Sequence, residues 1–189
     1  MKKIVFITAL FATSIVFTSC EKENPKPEKP KPQANPKEII TTAKLTLEDS
    51  LGNIVIGIWK DIDGDGPGAP IISGLTLKAG MHYDGIVLLM DETKSPVDTV
   101  SNEVKKEAEA HQFFYTPQDG VSSRLEIERE DKDKNNQPVG LMIHIDVSAG
   151  TTAAGSLKVV LKHYDGINKS LDPTIGETDV EAVFPVTIQ

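Results

Sequence analysis

Residues 141–147 read LMIHIDV. Leu141, Ile143, Ile145 and Val147 alternate with Met142, His144 and Asp146. Side chains of a strand leave its two faces in turn, so this pattern predicts a strand with one buried face and one wet face. The pattern recurs outward in both directions. Ala43, Leu45 and Leu47 oppose Lys44, Thr46 and Glu48, and Leu125 and Ile127 oppose Glu126 and Glu128. Leu157, Val159 and Leu161 follow, and Val180, Ala182, Phe184, Val186 and Ile188 close the chain. By the same rule Ile54, Ile56 and Ile58 are expected to form another buried row, and Leu75 to Leu77 a short strand. Runs rich in Gly, Pro, Asp and Asn separate these segments at 64–70, 131–138, 148–155 and 165–176.

One segment alone reads as helix: SNEVKKEAEA, residues 101–110, with Ser101 placed as its cap. Eight or nine strands with one short crossover helix predict an all-β fold, an immunoglobulin-like antiparallel β-sandwich, with a closed barrel as the rival. Pro185 has no N–H to donate, which predicts that the last strand is an edge at that point.

The amino-terminal part is of a different kind. Lys2 and Lys3 precede an apolar run from Ile4 to Phe17, too short for a lasting membrane helix, so residues 1–19 read as an export signal. The segment Phe17-Thr18-Ser19-Cys20 resembles the lipobox of bacterial lipoproteins, although Phe17 stands where leucine is usual. The resemblance implies cleavage before Cys20 and lipidation of its thiol. Cys20 is the single cysteine, so no disulfide framework exists and lipidation accounts for the leftover thiol. An ordinary secretory signal ending near Ser19 is the alternative.

Residues 20–38 then place five prolines among lysines and glutamates, a composition that favours extended polyproline II and a semi-rigid tether. Glu21, Lys22 and Glu23 resemble the short signal that carries some Bacteroidota lipoproteins to the cell surface. The expected location is the outer membrane, on its periplasmic face or at the surface.

Residues 39–189 are expected to form one domain. The chain has 20 Lys plus Arg and 28 Asp plus Glu; seven and four of these precede residue 39, which leaves 13 and 24, a formal charge of −11. So acidic a domain argues against nucleic acid and anionic membrane surfaces as partners and is compatible with cations.

WKDIDGDGPGAP, residues 59–70, carries Asp61, Asp63 and Asp65 at alternate positions before Gly66. Alternating carboxylates can wrap a hard cation, and the glycine allows the sharp turn. An EF-hand is excluded, because Ile72 stands where the bidentate glutamate belongs and the flanks read as strands. The two readings are a calcium loop and a plain hairpin turn. The echo at Asp131 to Asn135 lacks the glycine and reads as a turn. His144 and Asp146 leave one strand on the same, solvent-facing side, a start for a metal site that needs a further ligand. His163 extends the inward row of Leu157, Val159 and Leu161, away from them. HYDG occurs at 82–85 and 163–166 with unlike flanks, so it marks no duplication. In HQFFY, 111–115, alternation sends Phe113 and Phe114 to opposite sheet faces, and Trp59 reads as core or as the flank of a site. No nucleophile elbow, phosphate loop or zinc-protease motif occurs.

HQFFY, the DIDGDG loop and the ending GETDVEAVFPVTIQ together resemble small outer-membrane lipoproteins of Bacteroidota. The resemblance implies a location and no activity. The expected role is non-catalytic binding by a lipid-anchored monomer, alone or beside an outer-membrane receptor. The alternative is a metal-binding lipoprotein using calcium at Asp61, Asp63 and Asp65. A hydrolase of surface polymers is the third class.

Overall fold

The structure, a computed structural model, describes residues 38–63 and 67–189. The expected signal, Cys20, the tether up to residue 37, and Asp65 lie outside the described residues. Among the described residues ten strands form: β1 Thr42–Asp49, β2 Ile54–Lys60, β3 Ile71–Ser73, β4 Leu75–Leu77, β5 His82–Met90, β6 His111–Asp119, β7 Leu125–Arg129, β8 Met142–Val147, β9 Ala153–His163 and β10 Glu177–Ile188. One helix, α1 Val100–Lys106, and a 3-10 turn at Ala108–Ala110 join β5 to β6. No described helix is long and apolar enough to cross a membrane.

The strands build two sheets, ordered β3-β2-β1-β5-β8-β7 and β4-β10-β9-β6. The fold is an all-β sandwich with one short crossover helix. Its core lies between the sheets, where Leu45, Leu47 and Leu89 of the first meet Phe113, Leu157, Leu161 and Phe184 of the second. Burying each leucine contributes roughly 1.5–3 kcal/mol. Pairing is antiparallel throughout except between β4 and β10, which run parallel from Leu75↔Val186 to Leu77↔Ile188. The expected edge at Pro185 is not found: β10 lies between β4 and β9, and Pro185 is tolerated there because β4 begins to pair only at Val186, with Gly74 packed close against the Pro185 carbonyl.

Two further sequence expectations are corrected. Ile54, Ile56 and Ile58 point outward, 60%, 42% and 36% exposed. The register explains why: inward-facing Leu45 is paired with Gly57, so the inner side of β2 is Val55, Gly57 and Trp59. A Cβ on Gly57 would lie 2.9 Å from both Leu75 Cδ2 and Phe184 Cδ1. Those side chains fill the space that an isoleucine row would need. Ser101, in turn, is no cap. α1 starts one residue earlier, with Thr99 at the cap position making no side-chain bond. The buried Ser101 Oγ instead accepts the Leu89 N–H at 2.6 Å and donates to the Val87 carbonyl at 3.3 Å, tying α1 to β5. Val100 and Val104 meanwhile seal one end of the core.

Candidate metal centres and the outer sheet face

On the outer face of the six-stranded sheet, β5 and β8 pair so that His82 lies opposite Asp146 and Asp84 opposite His144. His82 thereby supplies the further candidate donor that His144 and Asp146 lacked in sequence. One donor atom of each of these three residues lies within 4.8 Å of the others. His82 Nδ1 bonds Asp146 Oδ1, and His144 Nε2 stands 3.4 Å from that same oxygen. His144 Nδ1 bonds Asp84 Oδ1 at 2.8 Å, an arrangement that orients an imidazole for metal binding. The Asp84 bond, ahead of the Asp146 charge, holds the His144 pKa above its ordinary value. The His82 bond holds Asp146 below the usual carboxylate range. From β7, Glu126 and Glu128 pair with Asp146 and His144 and add charge to the same face. Toward the opposite edge the face turns apolar: Ile54, Ile56, Ile58 and Ile71 are exposed, and Ile86 and Met142 lie between the two regions.

A second cluster lies inside the sandwich. His111, the first residue of β6, pairs directly with His163, the last of β9, and their rings stack with centroids 4.6 Å apart. Both continue the inward rows of their strands and are buried, 0% and 2% exposed. A register shift in β10 between Thr178 and Val180 is a bulge, which re-aims the local side chain and brings Asp179 to the pair. Asp179 Oδ2 is 3.7 Å from His111 Nε2, and its Oδ1 is 3.9 Å from His163 Nδ1. His111 Nδ1 lies 3.1 Å from the Glu107 carbonyl, just past the end of α1. Burial, more than any charge, pushes the His111 pKa down. Glu38 lies close enough to feel His163 and Glu107, and burial followed by the Glu107 and Glu103 charges pushes its carboxyl up.

The DIDGDG segment joins β2 to β3 in a hairpin whose register runs from Lys60↔Ile71 to Ile58↔Ser73. Asp63 braces that connection: its Oδ2 accepts the Gly68 N–H at 3.0 Å, which with Asp61 lowers its pKa. Asp61 is half-buried and its N–H donates to the Thr41 carbonyl. The aromatic pair divides as alternation requires, and both members are buried. Phe113 joins the core, and Phe114, on the other face, is covered by Arg129 with its guanidinium 5.3 Å from the ring centroid. Trp59 is partly buried against the core.

Sequence reading placed His144 and Asp146 on one outer face and His163 inward, as found. It missed His82 and the whole interior cluster. His82, Asp146, His111 and His163 become neighbours only through strand register, and Asp179 only through a bulge. The one available signal was that His111 opens an inward-alternating segment. No protein-family model, curated protein or solved structure matches this chain, so its function rests on the sites themselves.

Proposed function

We propose that the protein is a non-catalytic binding protein of the cell envelope, anchored through Cys20, whose partner docks on the outer face of the six-stranded sheet. The observation that carries this reading is the exposed isoleucine row of β2 with Ile71 beside it on β3; Ile86 and Met142 are exposed on the same face, across the Lys44, Thr46 and Glu48 side chains of β1. Clustered exposed apolar side chains mark interaction sites. Acidic Asp84, Glu126, Glu128 and Asp146 share the face, so the partner has an apolar patch flanked by basic side chains. An extracellular loop of an outer-membrane receptor with that chemistry fits.

A photo-cross-linking residue at position 56 or 142 in intact cells should give a discrete adduct. The same residue at Glu181, on the outer face of the other sheet, should give none. Charge reversal at Glu126 and Glu128 should weaken the adduct. Equal labelling from all three positions, or none, would sink the reading.

A second reading is favoured by the convergence of His82, His144 and Asp146: a divalent metal ion is the ligand of this face. Calorimetric titration with zinc of the chain and of its Asp179→Asn variant separates the two, since His144→Ala in the Asp179→Asn background should abolish the heat if the outer cluster binds. The calcium reading of Asp61, Asp63 and Asp65 is tested alongside, by calcium titration of the chain and of its Asp63→Ala and Asp65→Ala variants. Loss in those variants would make the hairpin a metal loop.

A further inference from the structure

The interior cluster has chemistry that the outer face does not explain. His111 sits at the carbonyl end of α1, and the Glu107 carbonyl accepts a hydrogen bond from its Nδ1–H. That bond sets the tautomer and leaves Nε2 as a bare lone pair. Nε2 finds no hydrogen-bond partner, and neither does Nε2 of His163, although both rings are enclosed. The lone pair of His111 instead faces a carboxylate oxygen of Asp179 at 3.7 Å. Two acceptors facing one another in a dry interior repel unless a cation lies between them. A proton held on the Asp179 carboxyl or on His111 is the competing cation, and only a metal brings ligand-field bands to the site.

We propose that His111, His163 and Asp179 form an interior site for one divalent transition-metal ion. Its ligands are His111 Nε2, one imidazole nitrogen of His163 and a carboxylate oxygen of Asp179. Donors of the three residues already lie within 4.8 Å of one another. Around an ion with bonds of about 2.0–2.1 Å, neighbouring donors stand roughly 2.9–3.4 Å apart. The observed separations, 3.7 Å from His111 Nε2 to Asp179 Oδ2 and 3.9 Å from His163 Nδ1 to Asp179 Oδ1, would close to this range by inward rotation of the side chains.

Two imidazoles and one carboxylate select zinc, iron(II), cobalt or nickel over calcium and magnesium, which take all-oxygen shells. The Glu107 carbonyl is the outer partner that orients a metal-binding histidine. Glu38 and Glu107 lie near enough to act electrostatically on His163 and His111, and both add negative potential that favours a cation. Loop closure is equally tight: a Cβ on Gly176 would lie 2.8 Å from the His163 carbonyl, at a φ of +85° that glycine alone adopts readily. The site joins three strands and the end of α1, so a bound ion would lock β6, β9 and β10 together at the end of the sandwich. It stands apart from the outer-face reading.

The test uses the full chain with His82→Ala and His144→Ala, which removes the exposed cluster, after stripping with a chelator. Cobalt(II) is the probe. One equivalent should bring visible ligand-field bands, shift the His111 Nε2 resonance in nitrogen-15 spectra, and raise the melting temperature by about 5 °C or more. Asp179→Asn and His163→Gln, placed separately in that background, should weaken binding at least tenfold. Absence of both bands and melting shift in the parent background would overturn the proposal. So would unchanged binding in both variants. If a variant fails to fold, the parent's spectrum and the His111 resonance decide alone, since a proton-sharing cluster gives neither.

Discussion

Glu38 shows how much a single position can report about the interior cluster. Its carboxyl is pushed up by burial first and by Glu107 and Glu103 next. A carboxyl whose folded value is raised binds a proton more readily folded than unfolded. Its contribution to stability is thus full below its ordinary value and lost as pH rises through the raised one. Glu38→Gln should therefore raise the melting temperature of the metal-free chain at pH 7 and leave it unchanged near pH 4. Identical gains at both pH values would show that charge is not the cause. Ser101 illustrates the opposite case, a buried hydroxyl with both its bonds made. Ser101→Ala strands the Leu89 N–H beneath α1, which should cost about 1–3 kcal/mol in denaturant unfolding. Had Ser101 been an exposed cap, its loss would melt the helix end and spare β5. Amide exchange at Leu89 separates the two.

Among the elements, β2 departs furthest from what its sequence suggests. Its isoleucines obey strand periodicity, and periodicity says only that alternate residues share a face, not which face is inside. The decision falls to Gly57, the residue that β1 register places against Leu45 and that Leu75 and Phe184 crowd from the facing sheet. Gly57→Ala should overpack this junction and lower stability by about 1–3 kcal/mol. Ile56→Thr, on the outer face, should change it by no more than about 0.5 kcal/mol. The reverse order in urea unfolding would put the isoleucines back in the core. β10 shows a related limit. Its inward row from Val180 to Ile188 was legible, but the bulge that turns Asp179 toward the histidines carries no sequence signature.

At the scale of the whole molecule, the domain carries an excess of acidic groups, −11 over residues 39–189 from 24 acids and 13 bases. Self-repulsion of such a surface opposes compaction and is screened by salt. The melting temperature should therefore rise by a few degrees between about 10 mM and about 0.15 M sodium chloride, where the screening length falls from about 30 Å to 8 Å. A flat or falling curve would mean that ion pairs such as Lys60–Glu92 outweigh the repulsion. The sandwich also gathers its two histidine–carboxylate clusters in different settings, one between the sheets and one on an outer face. Solvent screens the second and not the first, which is why bare lone pairs matter at His111 and little at His82.

The sequence by itself determined the all-β class, most of the inward rows and the outward pairing of His144 with Asp146. These follow from the two-residue repeat of a strand, which is local and survives any arrangement of neighbours. Tertiary structure alone decided which face of β2 is buried, that β4 runs parallel to β10, and that Ser101 spans α1 and β5. It also decided that His111, His163 and Asp179 meet. Each depends on register between segments up to tens of residues apart, set by the packing of two sheets and by a bulge. No stretch of chain contains that information on its own.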